Sequence, residues 1–306
     1  MPHLGSSLMK TDLPAKKTLE RSANVGEIIK AKELIDVLSP AGLTTTSRRT
    51  YNLLIAAAHE NLADPNYEHV IALKELRGSD ESNAQLKEAL DQLMTTVIVV
   101  RVEGATGRAA DRRVQLLGGN DTELKRDGVF RYRFDPKLVE VLKESSIYAQ
   151  LKKNVIWAFS SKYAMALYEV VERRRNMDYI TAETFTLEEF RYLLDVQPGK
   201  YQRFAQLNQS VIQAAVKEVN HLCDFLVEVI PMKAGQKVTA LTLQWRAKSE
   251  EEIAEARAEL KRSRVGRKER REGNVVTLEA RNAERRETII EQLSAPLDPI
   301  EDEIVF

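Results

Sequence analysis

Arg203, Gln206, Ser210, Gln213 and Lys217 recur at spacings of three and four, which places them on one face of a helix. Arg and Gln are the side chains that pair bidentately with guanine and adenine edges in the major groove. Ser and Lys suit backbone phosphates, which fix register but carry no sequence information. No carboxylate interrupts this stripe. Taken alone, a polar helix face reads as a surface meeting water. What precedes and follows it reverses that reading.

The same helix, Arg203 to about Leu222, carries an apolar stripe of Phe204, Leu207, Val211, Ala215, Val219 and Leu222. Ahead of it lies TLEEFRYLLDV, 186–196, where Thr186 and Glu189 form a capping-box start signal. PGKY then turns the chain, and Lys200 and Tyr201 are expected to meet phosphate there. Further ahead, SSKYAMALYEVVERRR, 160–175, aligns Ala164, Leu167, Tyr168 and Val171 on one apolar face. Its basic end, 173–175, suits the negative end of a helix dipole. After the long helix come two strand-like runs, 225–231 and 237–245, joined by MKAGQ. Lys233 and Lys237 on this wing are expected to reach phosphate. Helix, short helix, turn, long helix and hairpin is the order of a winged helix-turn-helix, and it predicts double-stranded DNA as a partner.

The first half repeats this order. LTTTSRRTYNLLIAAAH, 43–59, is a helix with Thr44 as N-cap and a buried face of Tyr51, Leu54, Ile55 and Ala58. Residues 81–94 form a second helix, and 95–102, TTVIVVRV, a β-branched strand. Strands follow at 112–117 and 129–134, with a loop between them, then a helix from Pro136. Residues 27–38 read as a short amphipathic segment stopped by Ser39-Pro40, and 70–76 as a strand or helix turn. The fold class expected is α+β, mainly helical: two tandem winged-helix domains, each a helix-turn-helix plus β-hairpin, related by internal duplication. The expected limits are a flexible arm over 1–24, the first domain over 25–145, the second over 146–248, and a charged helix with a mobile tail over 249–306.

The copies differ where DNA would be read. The first copy's helix offers Glu81, Glu88 and Asp91 against a lone Lys87, a surface that repels phosphate. Its wing carries Arg101, Arg108, Arg112 and Arg113, either a solvated hairpin or an auxiliary backbone contact. The tail begins with a basic run, KRSRVGRKERR, 261–271, and contains QLSAPL, 292–297, which resembles a sliding-clamp-binding peptide.

The composition narrows the classes. Of 306 residues, 43% are hydrophobic and 30% charged, yet the formal net charge is zero. DNA affinity must therefore come from local asymmetry. No apolar run approaches the ~20 residues of a membrane span, and the N-terminus lacks a signal-peptide core. A single cysteine, Cys223, excludes an internal disulfide, fits a reducing cytoplasm and reads as a buried thiol. His3, His59, His69 and His221 have no neighbours at metal-ligand spacing, and no segment has the order of a phosphate loop. Neither a cofactor nor an enzymatic activity is expected. A nicking reading of Tyr163, Tyr168, Tyr192 and Tyr201 would need a metal-binding histidine cluster that the sequence lacks.

Three stretches carry a resemblance: LTTTSRRTYNLLIAAA, SSKYAMALYEVVERR and FTLEEFRYLLDVQPGKYQRFAQLNQSVIQAAVKEVN. Together they make the chain, over about 30–248, similar to the iteron-binding replication initiators of theta-replicating bacterial plasmids. The resemblance implies monomers that bind origin iterons, bend DNA, help open an adjacent AT-rich segment and recruit host helicase and loader proteins. It implies homodimers, joined through the first domain, that bind an operator inverted repeat and repress their own promoter. It also implies that the second domain makes the main specific contacts. The alternative is a tandem winged-helix transcriptional repressor with no replication role. Direct repeats of about 20 base pairs, roughly two helical turns, beside an AT-rich stretch would favour the initiator.

Overall fold

Thr44 begins the first helix by accepting from Ser47 N at 3.0 Å, so α1 runs Thr45–Ala58. Its expected inward residues, Tyr51, Leu54, Ile55 and Ala58, are all buried. The computed structural model describes residues 16–36, 42–78, 81–103, 106–123, 128–175, 177 and 180–273. Of these, the residues up to 262 belong to one unit and 263–273 to another.

After α1 come β2 (His69–Ala72), α2 (Leu73–Leu76), α3 (Asn83–Thr95), and the hairpin β3 (Val97–Glu103) with β4 (Ala109–Gln115). The second copy follows the same order with α6 (Lys162–Arg175), β8 (Ala182–Thr186), α7 (Leu187–Leu193), a long helix, and the hairpin β9 (Phe225–Ala234) with β10 (Lys237–Ala247). Thr186 and Glu189 form the expected box, with Glu189 N donating to Thr186 Oγ1 at 3.2 Å and Thr186 N donating back to Glu189 Oε2 at 2.8 Å. Two tandem winged helices are thus present, and the repetition extends to the short strand–helix pairs β2–α2 and β8–α7. Between the copies lie β5 (Asn120–Thr122), β6 (Val129–Tyr132), α4 (Pro136–Glu144), β7 (Tyr148–Lys152) and α5 (Lys153–Ala158). Asp135 caps α4 by accepting from Lys137 N at 2.8 Å, and Pro136 takes the first helical position.

Several expectations need correction. The segment 27–38 starts as β1 (Glu27–Ala31), which pairs antiparallel with β7. Four successive residues of β1, Ile28 to Ala31, are buried, because this strand is covered on both faces. Inside the loop expected before β6 sits β5, which pairs with β6. β7, α5 and β8 were also not read from the sequence. β8 is the third strand of the second wing sheet, ordered β8-β10-β9. The basic end of α6, which suits the helix dipole, is also ion-paired within the protein. Arg173 and Arg174 are buried, Arg174 Nε lying 2.5 Å from Glu183 and Arg173 Nη2 3.0 Å from Asp36. Glu81 is half-buried and bonded to Arg49 Nη1 at 2.6 Å, so it is not part of an exposed acidic face. Residues 1–15 of the expected arm and 274–306 of the tail, including QLSAPL, lie outside the described residues. Residues 18–20 form a 3₁₀ turn whose Thr18 N donates to Ser145 O at 2.7 Å.

The two copies are joined by equivalent parts. β1 and β7, each the strand ahead of its copy's first long helix, pair with one another over five positions. Behind that pairing lies a buried ionic cluster. Glu169 on α6 accepts from Lys30 Nζ at 3.0 Å, Arg48 Nη1 at 3.0 Å and Asn52 Nδ2 at 2.7 Å. Arg48 also reaches Asp195 at 3.5 Å, and Asp195 accepts from Leu43 N at 2.9 Å. Burial lowers the Lys30 ammonium to about 8 although Glu169 raises it. Burial pushes the Glu169 carboxyl up, but Lys30 and Arg48 together hold it below its ordinary value. First-copy cations therefore surround second-copy carboxylates at the contact between copies.

Candidate nucleic-acid interface

The long helix consists of α8 (Phe204–Leu207), a π turn (Asn208–Ile212) and α9 (Gln213–Leu222). It is held from both ends. At its start, Gly199 has φ 80° and Tyr201 φ 51°, left-handed values that bend PGKY sharply. Arg191 on α7 grips that turn, donating to Tyr201 O at 3.0 Å and Lys200 O at 2.5 Å. The Tyr201 ring meets Tyr163 of α6 edge-on at 6.3 Å. At the other end, Asn220 accepts from Val227 N at 2.7 Å and donates to Val227 O at 3.0 Å, so helix and wing sheet move as one piece. Beneath, Glu218 is buried and accepts from both Ser160 N and Ser160 Oγ at 2.7 Å. α6 packs against α9, with Tyr168 stacked on Phe225 at 6.1 Å.

This frame buries Leu207, Val211, Ala215, Val219 and Leu222 and half-buries Phe204. It leaves Gln206, Ser210, Gln213 and Lys217 exposed on the same helix, while Arg203, expected to open that helix, is exposed in extended backbone as its N-cap. Lys200 is exposed in the turn beside them, and Lys233 and Lys237 are exposed on the β9–β10 hairpin. None of Lys200, Arg203, Lys217, Lys233 and Lys237 forms an ion pair with a carboxylate among the described residues. Unpaired cations flanking Gln and Ser side chains can take phosphates at the edges and base edges in the middle.

The arginines of the first wing are placed differently. Arg101 pairs with Asp111 across the β3–β4 hairpin at 3.2 Å, and Arg112 pairs with Glu140 on α4 at 3.2 Å. Arg108 and Arg113 are exposed. Internal carboxylates thus already occupy two of these four cations, and the hairpin forms a two-stranded sheet separate from the second wing. The residues that sequence reasoning missed are those of the ionic cluster, Lys30, Arg48, Glu169 and Asp195. Lys30, Arg48 and Glu169 showed locally only as charge inside a strand and two helices, and Asp195 lies in the turn after α7. Cys223 is buried, and burial pushes its thiol well above the ordinary value. Among the described residues, no group of three or more His, Cys, Asp or Glu could hold a metal ion. No described helix is long and apolar enough to cross a membrane.

Residues 27–172 match the family model described as Initiator Replication protein, WH1, and residues 186–245 match that described as Initiator Rep protein, WH2. Among solved structures, the chain is similar to a crystal structure of the Pi initiator protein in complex with iteron DNA. The two are 15% identical with a TM-score of 0.56, and the match covers 74% of this chain and 98% of that one. A crystal structure of domains 2 and 3 of RctB, as selenomethionine derivatives, is 10% identical with a TM-score of 0.41, covering 66% of this chain and 81% of that one. No curated protein matches the chain.

Proposed function

The chain belongs to the initiator Rep protein family and is a DNA-binding replication initiator; from that premise we propose that it binds repeated iteron sites in a plasmid origin as a monomer and opens the adjacent DNA. The second winged helix carries the sequence-specific contact, with Arg203, Gln206, Ser210, Gln213 and Lys217 toward the major groove. Lys200, Tyr201, Lys233 and Lys237 contact phosphate. One observation carries this reading: every polar residue of that stripe is exposed, and so are Lys233 and Lys237 of the wing, which form no ion pair among the described residues. Host helicase and loader proteins are then recruited to the opened origin, in the cytoplasm. The test is whether the gene with its flanking DNA sustains a plasmid lacking another origin. Failure to replicate, with repression of its own promoter intact, would overturn the initiator role.

Autorepression is proposed for a homodimer joined through the first winged helix. β3 pairs only with β4, so its other edge is open among the described residues. Val97 and Val99 share one face of β3, at 38% and 40% exposure. An apolar edge strand of this kind is a template for pairing with a second chain. Replacing both valines by lysine is expected to shift the full chain toward monomer in sedimentation while leaving iteron binding in place. Unchanged self-association would remove β3 from the interface. Arg108 and Arg113 at the same hairpin add auxiliary backbone contact.

The tail is proposed to add non-specific affinity. In the second unit, the described residues include α11 (Arg267–Arg271), whose Arg270 donates to Ser263 O at 2.7 Å and Val265 O at 3.1 Å. Clustered cations neutralise phosphate without reading bases. Deleting 262–306 is expected to weaken binding to random and specific DNA alike, measured by titration at two salt concentrations. A loss confined to specific DNA would contradict it.

A further inference from the structure

The π turn changes which residues form the outermost ridge of the long helix. In an α-helix each residue turns the face by about 100°, so Gln206 and Lys217 would lie about 20° apart. A π turn holds one extra residue and turns everything after it back by about 100°. Gln206 and Lys217 then diverge by about 80°. Spacing of four, which drifts by about 40° per step in an α-helix, is instead brought nearly straight across the turn. Ala205, Gln209, Gln213 and Lys217 therefore form one column along the helix.

Burial agrees with this geometry. All four members of that column are exposed. The column through Gln206 and Ser210 continues to Ala214, which is half-buried, and to Glu218, which is buried against Ser160. That parallel column lies on the flank of the helix and is covered in its second half, while the Gln209 column stays exposed along its whole length. Val211 and Ile212, adjacent within the π turn, are both buried. Gln213 Nε2 lies 3.4 Å from Asn208 Oδ1, five residues back, an arrangement that the wider turn brings together.

We infer that Gln209, swung into line with Gln213 and Lys217 by the π turn, is a base-reading residue of this helix, and that Ser210 lies at the edge of the contact. The inference rests on the reading of this helix as the DNA-recognition element. A glutamine amide reads adenine through a paired donor and acceptor, and two glutamines one turn apart on one ridge reach neighbouring base pairs. Ala205, at the start of the ridge, is too short to reach a base edge and leaves room for the groove wall.

The test is selection of binding sites by the full chain from a pool of random duplexes, followed by titration of the selected site and its single-base variants. The parent, Gln209→Ala and Ser210→Ala are compared, with circular dichroism confirming that each is folded; both positions are exposed. Gln209→Ala is expected to lose about tenfold or more of the preference at one base pair. Ser210→Ala is expected to keep every preference. Gln209→Ala with all of the parent's preferences, or Ser210→Ala with the larger loss, would overturn the assignment. A parent that selects no sequence would instead overturn the DNA-recognition role of the helix, and this assignment with it.

Discussion

Glu169→Ala is expected to destabilise the chain by about 3–5 kcal/mol, because it leaves two buried cations without their shared carboxylate. Lys30 and Arg48 come from the first copy, β1 and α1, while Glu169 comes from α6 of the second. All three side chains are nearly excluded from water, at 2%, 7% and 0% exposure. Asn52 would lose its acceptor as well. Denaturant unfolding of the full chain measures the loss. Replacing Lys30 and Glu169 together by apolar residues of similar volume, with Arg48 kept on Asp195, is expected to recover part of it, since a buried ion pair is costly mainly when broken. The cluster also sets a pH dependence. The folded Glu169 carboxyl titrates below its ordinary value of 4.5. Its contribution is therefore present above the unfolded pKa and is lost as pH falls through the folded one. A loss below about 1 kcal/mol for Glu169→Ala would mean that the cluster is not what holds the copies together.

Leu207→Asp is expected to abolish DNA binding by unfolding the second winged helix. Leu207 is 1% exposed and sits in the same buried stripe as Val211 and Ala215. An unpaired carboxylate there costs several kcal/mol, comparable to the whole stability of a domain. The loss of binding should be accompanied by a loss of helical circular dichroism signal. That signature separates it from substitutions on the exposed face, which remove contacts and leave the fold. Leu207→Asp with native ellipticity and no binding would place Leu207 on the DNA side of the helix.

Much of this arrangement was legible because its signals are local. Thr44, Thr186 and Asp135 are caps that act within three residues of themselves, and all three begin helices where expected. The apolar stripes of α1 and of the long helix are periodic over several turns, and the hairpins alternate. The order of elements then pointed to a winged helix twice over. Other features were not legible for equally physical reasons. β1 is a short strand covered on both faces, so it lacks the alternation that marks a half-buried strand. β8 is stabilised by pairing with β10, more than 50 residues away in sequence. Arg48 and Glu169 are 121 residues apart, and nothing near either names the other. Arg173 and Arg174 read as a basic helix end suited to the dipole, and only the fold brings Asp36 and Glu183 against them. The π turn has no sequence signature, so an ideal helical wheel grouped Gln206 and Ser210 with Lys217 and left out Gln209.

The central claim is that the exposed face of the helix from Phe204 to Leu222, with Arg203 at its N-cap, reads DNA. It is tested most directly by footprinting and salt-dependent titration of Arg203→Ala and Lys217→Ala on the repeats beside the chain's own gene. Both residues are exposed, so both variants should keep the parent's circular dichroism. Arg203→Ala is expected to cost about 1–3 kcal/mol and relax preference at one position. Lys217→Ala is expected to weaken all sequences similarly and lower the salt slope by about one. If both stay folded and protect the repeats with the parent's affinity, preference and salt slope, the DNA is read elsewhere on the molecule.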